Sequence, residues 1–202
     1  DVNAIGSMLY EIFRNTDDHA LYNVEGVRLP KSVRGFRTRY FQVKPSDLDR
    51  MTHGSEPLRK FCETLTPPHA YAKTLRLFEI SVFDSGPGYA ERWLDRRTRE
   101  FTATEEHDAV RACFDKYATT KRHSSAGKGL TYVIRLLREK NGFLRLRTGR
   151  LSLYADFGDW EGQGNVDELP ELLGATKPDG SIDLLPRVEG TLVTLIVPLR
   201  TS

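Results

Sequence analysis

Glu11, Asn15 and Asp18, within Glu11-Ile-Phe-Arg-Asn15-Thr-Asp-Asp18-His-Ala20, stand at i, i+4 and i+7. At about 100° per residue this spacing aligns them on one stripe of a helix. A carboxylate can move a proton and a carboxamide oxygen can meet a hard cation. Ile5, Met8, Leu9 and Ile12 form a separate apolar stripe beside them, facing the expected core. Polar groups bordering an apolar stripe sit where core meets solvent, which suits the wall of a cleft. Taken alone, the same stripe is an ordinary solvated helix edge.

Two glycine clusters give it more meaning. Asp84-Ser-Gly86-Pro-Gly88 follows Leu75-Arg-Leu77-Phe-Glu-Ile80-Ser-Val82-Phe, an alternating run rich in β-branched and aromatic residues. That pattern is a strand entering a turn that glycine permits. Ala126-Gly127-Lys128-Gly129-Leu130 leads into Thr131–Lys140, a helix with Val133, Leu136 and Leu137 inward. Glycines before a helix bare its unpaired N–H groups, and the helix dipole favours phosphate there. Two familiar phosphate motifs fail at this segment. A P-loop needs glycine where Arg122 stands and Ser or Thr where Gly129 stands. The dinucleotide fingerprint needs a third glycine where Tyr132 stands, and no βαβ unit opens there.

The ordered set resembles the GHKL ATPases: gyrase, the ninety-kilodalton heat-shock chaperones, sensor histidine kinases and mismatch-repair MutL proteins. Glu11, Asn15 and Asp18 match the family's N box, E-x-x-x-N-x-x-D-[AH]. Asp84, Gly86 and Gly88 match its D-x-G-x-G box, and Gly127, Gly129 and Leu130 its G-x-G-L box. Gly190-Thr191-Leu-Val-Thr-Leu-Ile-Val-Pro198 is similar to the family's last strand, and Ala118-Thr-Thr120-Lys121 to the T-[ST]-K segment of MutL lids. The motifs keep the family's order over residues 11 to 198.

The resemblance implies a Bergerat-type site for ATP and Mg²⁺. Asp84 would accept a hydrogen bond from the adenine amino group, a donor that guanine lacks at that ring position. Gly86 and Gly88 would let the backbone approach base and ribose, with Thr191 near the adenine. Asn15 would give one oxygen to Mg²⁺, Asp18 would complete the N box, and Glu11 would take a proton from the attacking water. Thr120, Gly127, Gly129 and Leu130 would line the phosphates, with Lys121 or Lys128 neutralising charge on the γ-phosphate. For each lysine a solvated charge is the alternative.

These residues need a scaffold. The pattern predicts a helix over 3–22, a strand over 33–44, a short helix near 56–65 and a strand over 74–84. Helical stretches follow at about 89–98 and 105–117, then a helix over 127–140. Phe143–Gly149 and Leu151–Phe157 pair as a hairpin whose turn needs φ > 0 at Gly149, and a last strand covers 189–199. The expected fold is α+β, a two-layer sandwich with a mixed, mostly antiparallel sheet and helices on one face. The resemblance implies one GHKL-type domain over 1–202, with a nucleotide lid expected at about 89–126, a stretch with few core-type residues. Insertions fall at about 46–73 and 158–187. The chain opens inside its first helix, as a fragment or trimmed domain would.

Composition agrees. The 202 residues suffice for a substantial core, and 39% hydrophobic with 29% charged residues is globular material. A net charge of +2 gives no indication of nucleic-acid binding. No run approaches a membrane span, and no leader pattern opens the chain. Cys62 and Cys113 lack metal or redox spacing, so buried thiols in a reducing cytoplasm are expected. His19 reads as a core histidine, Arg34, Arg37 and Arg39 as a solvated strand face that could meet phosphate, and Trp93 and Trp160 as packing or lid residues.

Three functional readings follow. The favoured one is a switch in which Mg·ATP orders the lid, the closed form docks on a partner or a second copy, and slow hydrolysis releases it. The alternatives are the catalytic domain of a histidine kinase and a non-hydrolysing ATP-binding module.

Overall fold

In the computed structural model the described residues are 2–66, 74–97, 100–114, 129–158, 172, 174, 177 and 181–199. The first helix, α1 (Val2–His19), buries Met8 and Ile12 and half-buries Ile5 and Leu9, the apolar stripe expected of it. The strands are β1 (Arg34–Val43), β2 (Leu75–Asp84), β3 (Phe143–Gly149), β4 (Leu151–Asp156) and β5 (Val188–Pro198). They form one five-stranded sheet in the order β1-β2-β5-β3-β4. The expected mixed sheet is corrected here: every described pairing is antiparallel.

Alternation decides the faces. Ile80 and Val82 of β2, Leu144 and Leu146 of β3, Leu151 and Leu153 of β4, and Val193, Leu195 and Val197 of β5 all point to one side. There they meet α1, α4 (Tyr89–Leu94), α5 (Ala103–Ala112) and α6 (Gly129–Glu139), which complete the main core. Val133, Ile134, Leu136 and Leu137 supply the buried face of α6. This is a two-layer α+β sandwich.

One element departs from helices on a single face. The segment 46–73 contributes α2 (Leu48–Thr52) and α3 (Glu56–Thr64), which cover one end of the opposite face. Phe61 and Cys62 of α3 pack there on Leu77, Phe143 and Ile196. Burial pushes the Cys62 thiol up to about 12, so it is an inert packing group. Arg37 and Arg39 lie on this second face, Arg39 paired with Glu79 at 3.3 Å and stacked over Phe41.

A second departure concerns the expected lid. Ala90, Phe101, Ala109, Val110 and Phe114 are buried in the main core, so 89–114 carries the core residues that the reading denied it. Thr102 caps α5 with a capping box, its side chain accepting from the Glu105 amide while Glu105 accepts from the Thr102 amide. Such caps stabilise a helix by about 1 kcal/mol. The remainder of the expected lid, 115–126, lies outside the described residues. Trp93 packs against the core, and Trp160 lies outside the described residues.

Candidate functional site

The site is built where β2, β5 and β3 end side by side. Asp84 is opposite Thr191 in the register of β2 and β5, and Thr148 is opposite Thr191 in that of β3 and β5. Three polar residues therefore form a row across adjacent strands. Thr148 and Thr191 are 1% and 4% exposed, and their Oγ1 atoms lie 3.3 Å apart.

Asp84 turns its carboxylate onto its own turn, accepting from the Gly86 amide at 2.9 Å. The Thr191 amide donates to it as well. Burial outweighs both donors and raises the carboxyl to about 6. No side-chain cation pairs with it among the described residues. A half-buried carboxylate of this kind gains most from a ligand N–H.

The glycines around it answer to close packing. A β-carbon on Gly86 would sit 2.5 Å from the Ala20 Cα, because the turn runs against the end of α1. One on Gly88 would meet the Thr148 hydroxyl at 2.7 Å. Gly190 has φ +76°, and a β-carbon there would lie 1.9 Å from the Asp84 carbonyl oxygen. That contact is what brings Asp84 and Thr191 together.

Glu11 and Asn15 stand half-buried on α1, one turn apart. Neither side chain has a hydrogen-bond partner among the described residues. Glu11 reaches the start of α6, where its Oε2 would be 2.7 Å from a β-carbon on Gly129. Leu130 follows and packs against the core. Glu11 of α1 and Gly129 at the start of α6 are thus in contact. Asp18 is on α1, but its side chain lies outside the described residues, as does that of His19. Thr120, Lys121, Gly127 and Lys128 also lie outside them.

From Glu11 to Ala20 is nine residues, about 14 Å at 1.5 Å per residue. Glu11 and Asn15 are one turn apart on α1, and the turn after Asp84 packs on Ala20, just beyond the end of that helix. Arg34 pairs with Asp17 on α1, while Arg37 and Arg39 occupy the opposite side of the sheet. A cavity of about 370 Å³ lies beyond the Ser85-Gly86-Pro87 turn. Its rim carries the ion pairs Glu25–Arg97 and Glu91–Arg187, which tie it to neighbouring loops.

Two features escaped sequence reasoning. Thr148 is one, although a hydroxyl continuing the inward series Leu144, Leu146 was a visible signal. The other is Glu106 on α5, 1% exposed, which accepts from the Arg150 amide at 2.7 Å and from its Nε at 2.6 Å. It anchors the hairpin turn directly after Thr148, and Arg150 also donates to the Phe101 carbonyl.

Among the described residues no three metal-ligating side chains converge, and no helix is long and apolar enough to cross a membrane. Compared with family models, curated proteins and solved structures, the chain matches none of them.

Proposed function

We propose that the chain binds Mg²⁺-complexed ATP in a GHKL-type site and hydrolyses it slowly to drive a conformational or dimerisation switch. The observation that carries this reading is the half-buried Asp84 carboxylate, raised to about 6 by desolvation, without a cationic side-chain partner among the described residues and opposite Thr191 across the sheet. Its lone pairs suit the adenine amino group and repel the guanine carbonyl. Gly86 and Gly88 let the turn after Asp84 pack directly against Ala20 and Thr148, which fixes where the Asp84 carboxylate stands.

The order along α1 supports the rest. Counted back along α1 from the Ala20 contact of the Asp84 turn come Asn15 and then Glu11, over about 14 Å of helix rise. Asn15 would give its amide oxygen to the metal, and Glu11 would orient water and take its proton. The Mg²⁺ ion supplies charge neutralisation along the triphosphate. Lys121, Lys128, Thr120 and Gly127 complete the phosphate end by their resemblance to the family motifs. The partner is a second copy or another domain of the same protein, docking on the ATP-bound form.

Titration calorimetry with ATP, ADP and GTP in the presence of Mg²⁺ tests the reading. ATP and ADP binding with GTP at least about tenfold weaker is expected, and equal ATP and GTP affinity overturns it. Single-turnover phosphate release then separates an ATPase from a module that only binds.

A further inference from the structure

We infer that the crevice between the α2–α3 segment and the second face of the sheet binds a small carboxylate with an apolar body, held through Arg145. Nothing in it depends on the nucleotide reading. Phe61 and Cys62 seat α3 on Leu77, Phe143 and Ile196, so the helices roof only one end of this face. Beside that seat lies a cavity of about 540 Å³, a size common among small-molecule sites. From the sheet it is lined by Phe41, Leu77 and Ile196, and from the helices by Met51 and Leu58. Its arginines and carboxylates are Arg39, Glu79 and Arg145.

Two of these three charges answer each other. Arg39 lies 3.3 Å from Glu79 and is stacked over Phe41 at 4.2 Å. Arg145 differs. It is exposed on β3, between β5 and β4, and its neighbours in register are Thr194 and Tyr154, neither of them a carboxylate. Its side chain has no hydrogen-bond or ion-pair partner among the described residues. Arg147, two positions on along the same face, donates to the carbonyls of Gly149 at 2.7 Å and Leu151 at 2.9 Å. Arg37 also lacks a partner among the described residues, but it does not line the cavity. The crevice therefore carries one surplus positive charge beside apolar walls. A planar guanidinium takes a carboxylate through two parallel hydrogen bonds. The apolar body of the ligand gains by covering Phe41, Met51 and Leu58, which are half-buried. A phosphate dianion would leave one charge unanswered, and a cation would meet Arg145 with like charge. The cavity and the row Asp84, Thr191, Thr148 share β2, β5 and β3 but lie on opposite faces of the sheet. Binding at the two places is therefore told apart by which amides respond.

The probe is phenylpropionate, titrated into the isotopically labelled chain and followed by amide chemical shifts. Saturable shifts are expected over residues 51–58 and at Arg145, half-complete at about 1 mM or below. Phenylpropanol has the same body without the charge and should bind at least about tenfold more weakly. Arg145→Gln changes an exposed side chain and should weaken the acid by about tenfold while leaving the alcohol as it was. Arg145→Glu should reverse the preference in favour of phenylpropylamine. Equal affinity of acid and alcohol for the wild type overturns the inference and needs no variant. So does an Arg145→Gln chain that holds the acid within about twofold of wild type. Shifts that gather at Asp84 and Thr191 instead of 51–58, or none that saturate by about 10 mM, overturn it as well.

Discussion

The carboxylate of Glu11 occupies the space where a side chain at Gly129 would begin, with Oε2 2.7 Å from that point. The two residues are 118 positions apart, and their contact joins α1 to α6. The obstructing atom is the far end of a flexible side chain, so an added methyl would push the carboxylate aside rather than break the fold. Gly129→Ala should therefore change stability by less than about 1 kcal/mol and lower single-turnover hydrolysis by about tenfold or more. Calorimetry alongside rapid-quench assays checks both, and a fully active Gly129→Ala would detach Glu11 from catalysis.

Glu11 and Asn15 should fail differently. Glu11→Ala should still bind Mg·ATP but lose turnover by about 10²–10⁴-fold, the usual weight of a general base. Asn15→Ala should weaken Mg·ATP binding itself. Phosphate release from Glu11→Ala at the wild-type rate, with a histidine-bearing partner becoming phosphorylated, would replace the switch with a kinase.

Asp84 predicts two opposite pH responses. Its carboxyl is raised to about 6 from an ordinary 3.8, so the folded chain holds a proton that the unfolded chain releases between those values. Stability from this group is greatest at low pH and declines as pH climbs from about 4 to about 6. Asp84→Asn should remove that slope from thermal melts. Nucleotide binding runs the other way, since an amino donor favours the ionised carboxylate. Affinity relative to Asp84→Asn should fall by about tenfold per unit below pH 6. A pH-independent ratio would mean that Asp84 meets no ligand donor.

Three glycines should tolerate alanine very unequally. Gly190→Ala meets backbone 1.9 Å away in a left-handed conformation and Gly86→Ala meets the Ala20 Cα at 2.5 Å, so both should lose several kcal/mol or fail to fold. Gly6, on the exposed side of α1 with nothing within 4 Å, should gain about 0.5–1 kcal/mol as alanine. Urea melts order the three, and a tolerated Gly190→Ala would contradict the contact between Asp84 and β5.

Glu106→Ala should destabilise by about 3–5 kcal/mol, because it strands the Arg150 guanidinium and amide beside the core. Glu106→Gln keeps the shape and should lose less. A change below about 1 kcal/mol for Glu106→Ala would show that water replaces the carboxylate.

The strands and main helices were legible because each carries a local period. The alternation of 74–84 and 189–199 foretold β2 and β5 within a residue or two, and the positive φ at Gly149 followed from the turn between two alternating runs. What escaped depends on partners distant in the chain. The charges of 105–117 suggested part of a solvated lid, yet Glu106 is buried because Arg150, 44 residues on, neutralises it. Thr148 gave a weak signal, since a threonine ending a strand is commonplace until Tyr89 and Thr191 are seen beside it. Glu11, Asn15 and Asp84 were singled out by their resemblance to the family motifs, while the closeness of Asp84 to Thr191 required the strand order.

That strand order bears on synthesis. β5 comes last among the five strands but lies third in space, between β2 and β3. Until residues 188–198 leave the ribosome, β2 and β3 each expose a bare edge, and Thr191 is absent from beside Asp84. A nascent or prematurely terminated chain would thus lack the pairing of Asp84 with Thr191 and carry two open strand edges, the kind that recruit other chains. Quality control could recognise such products by those edges alone.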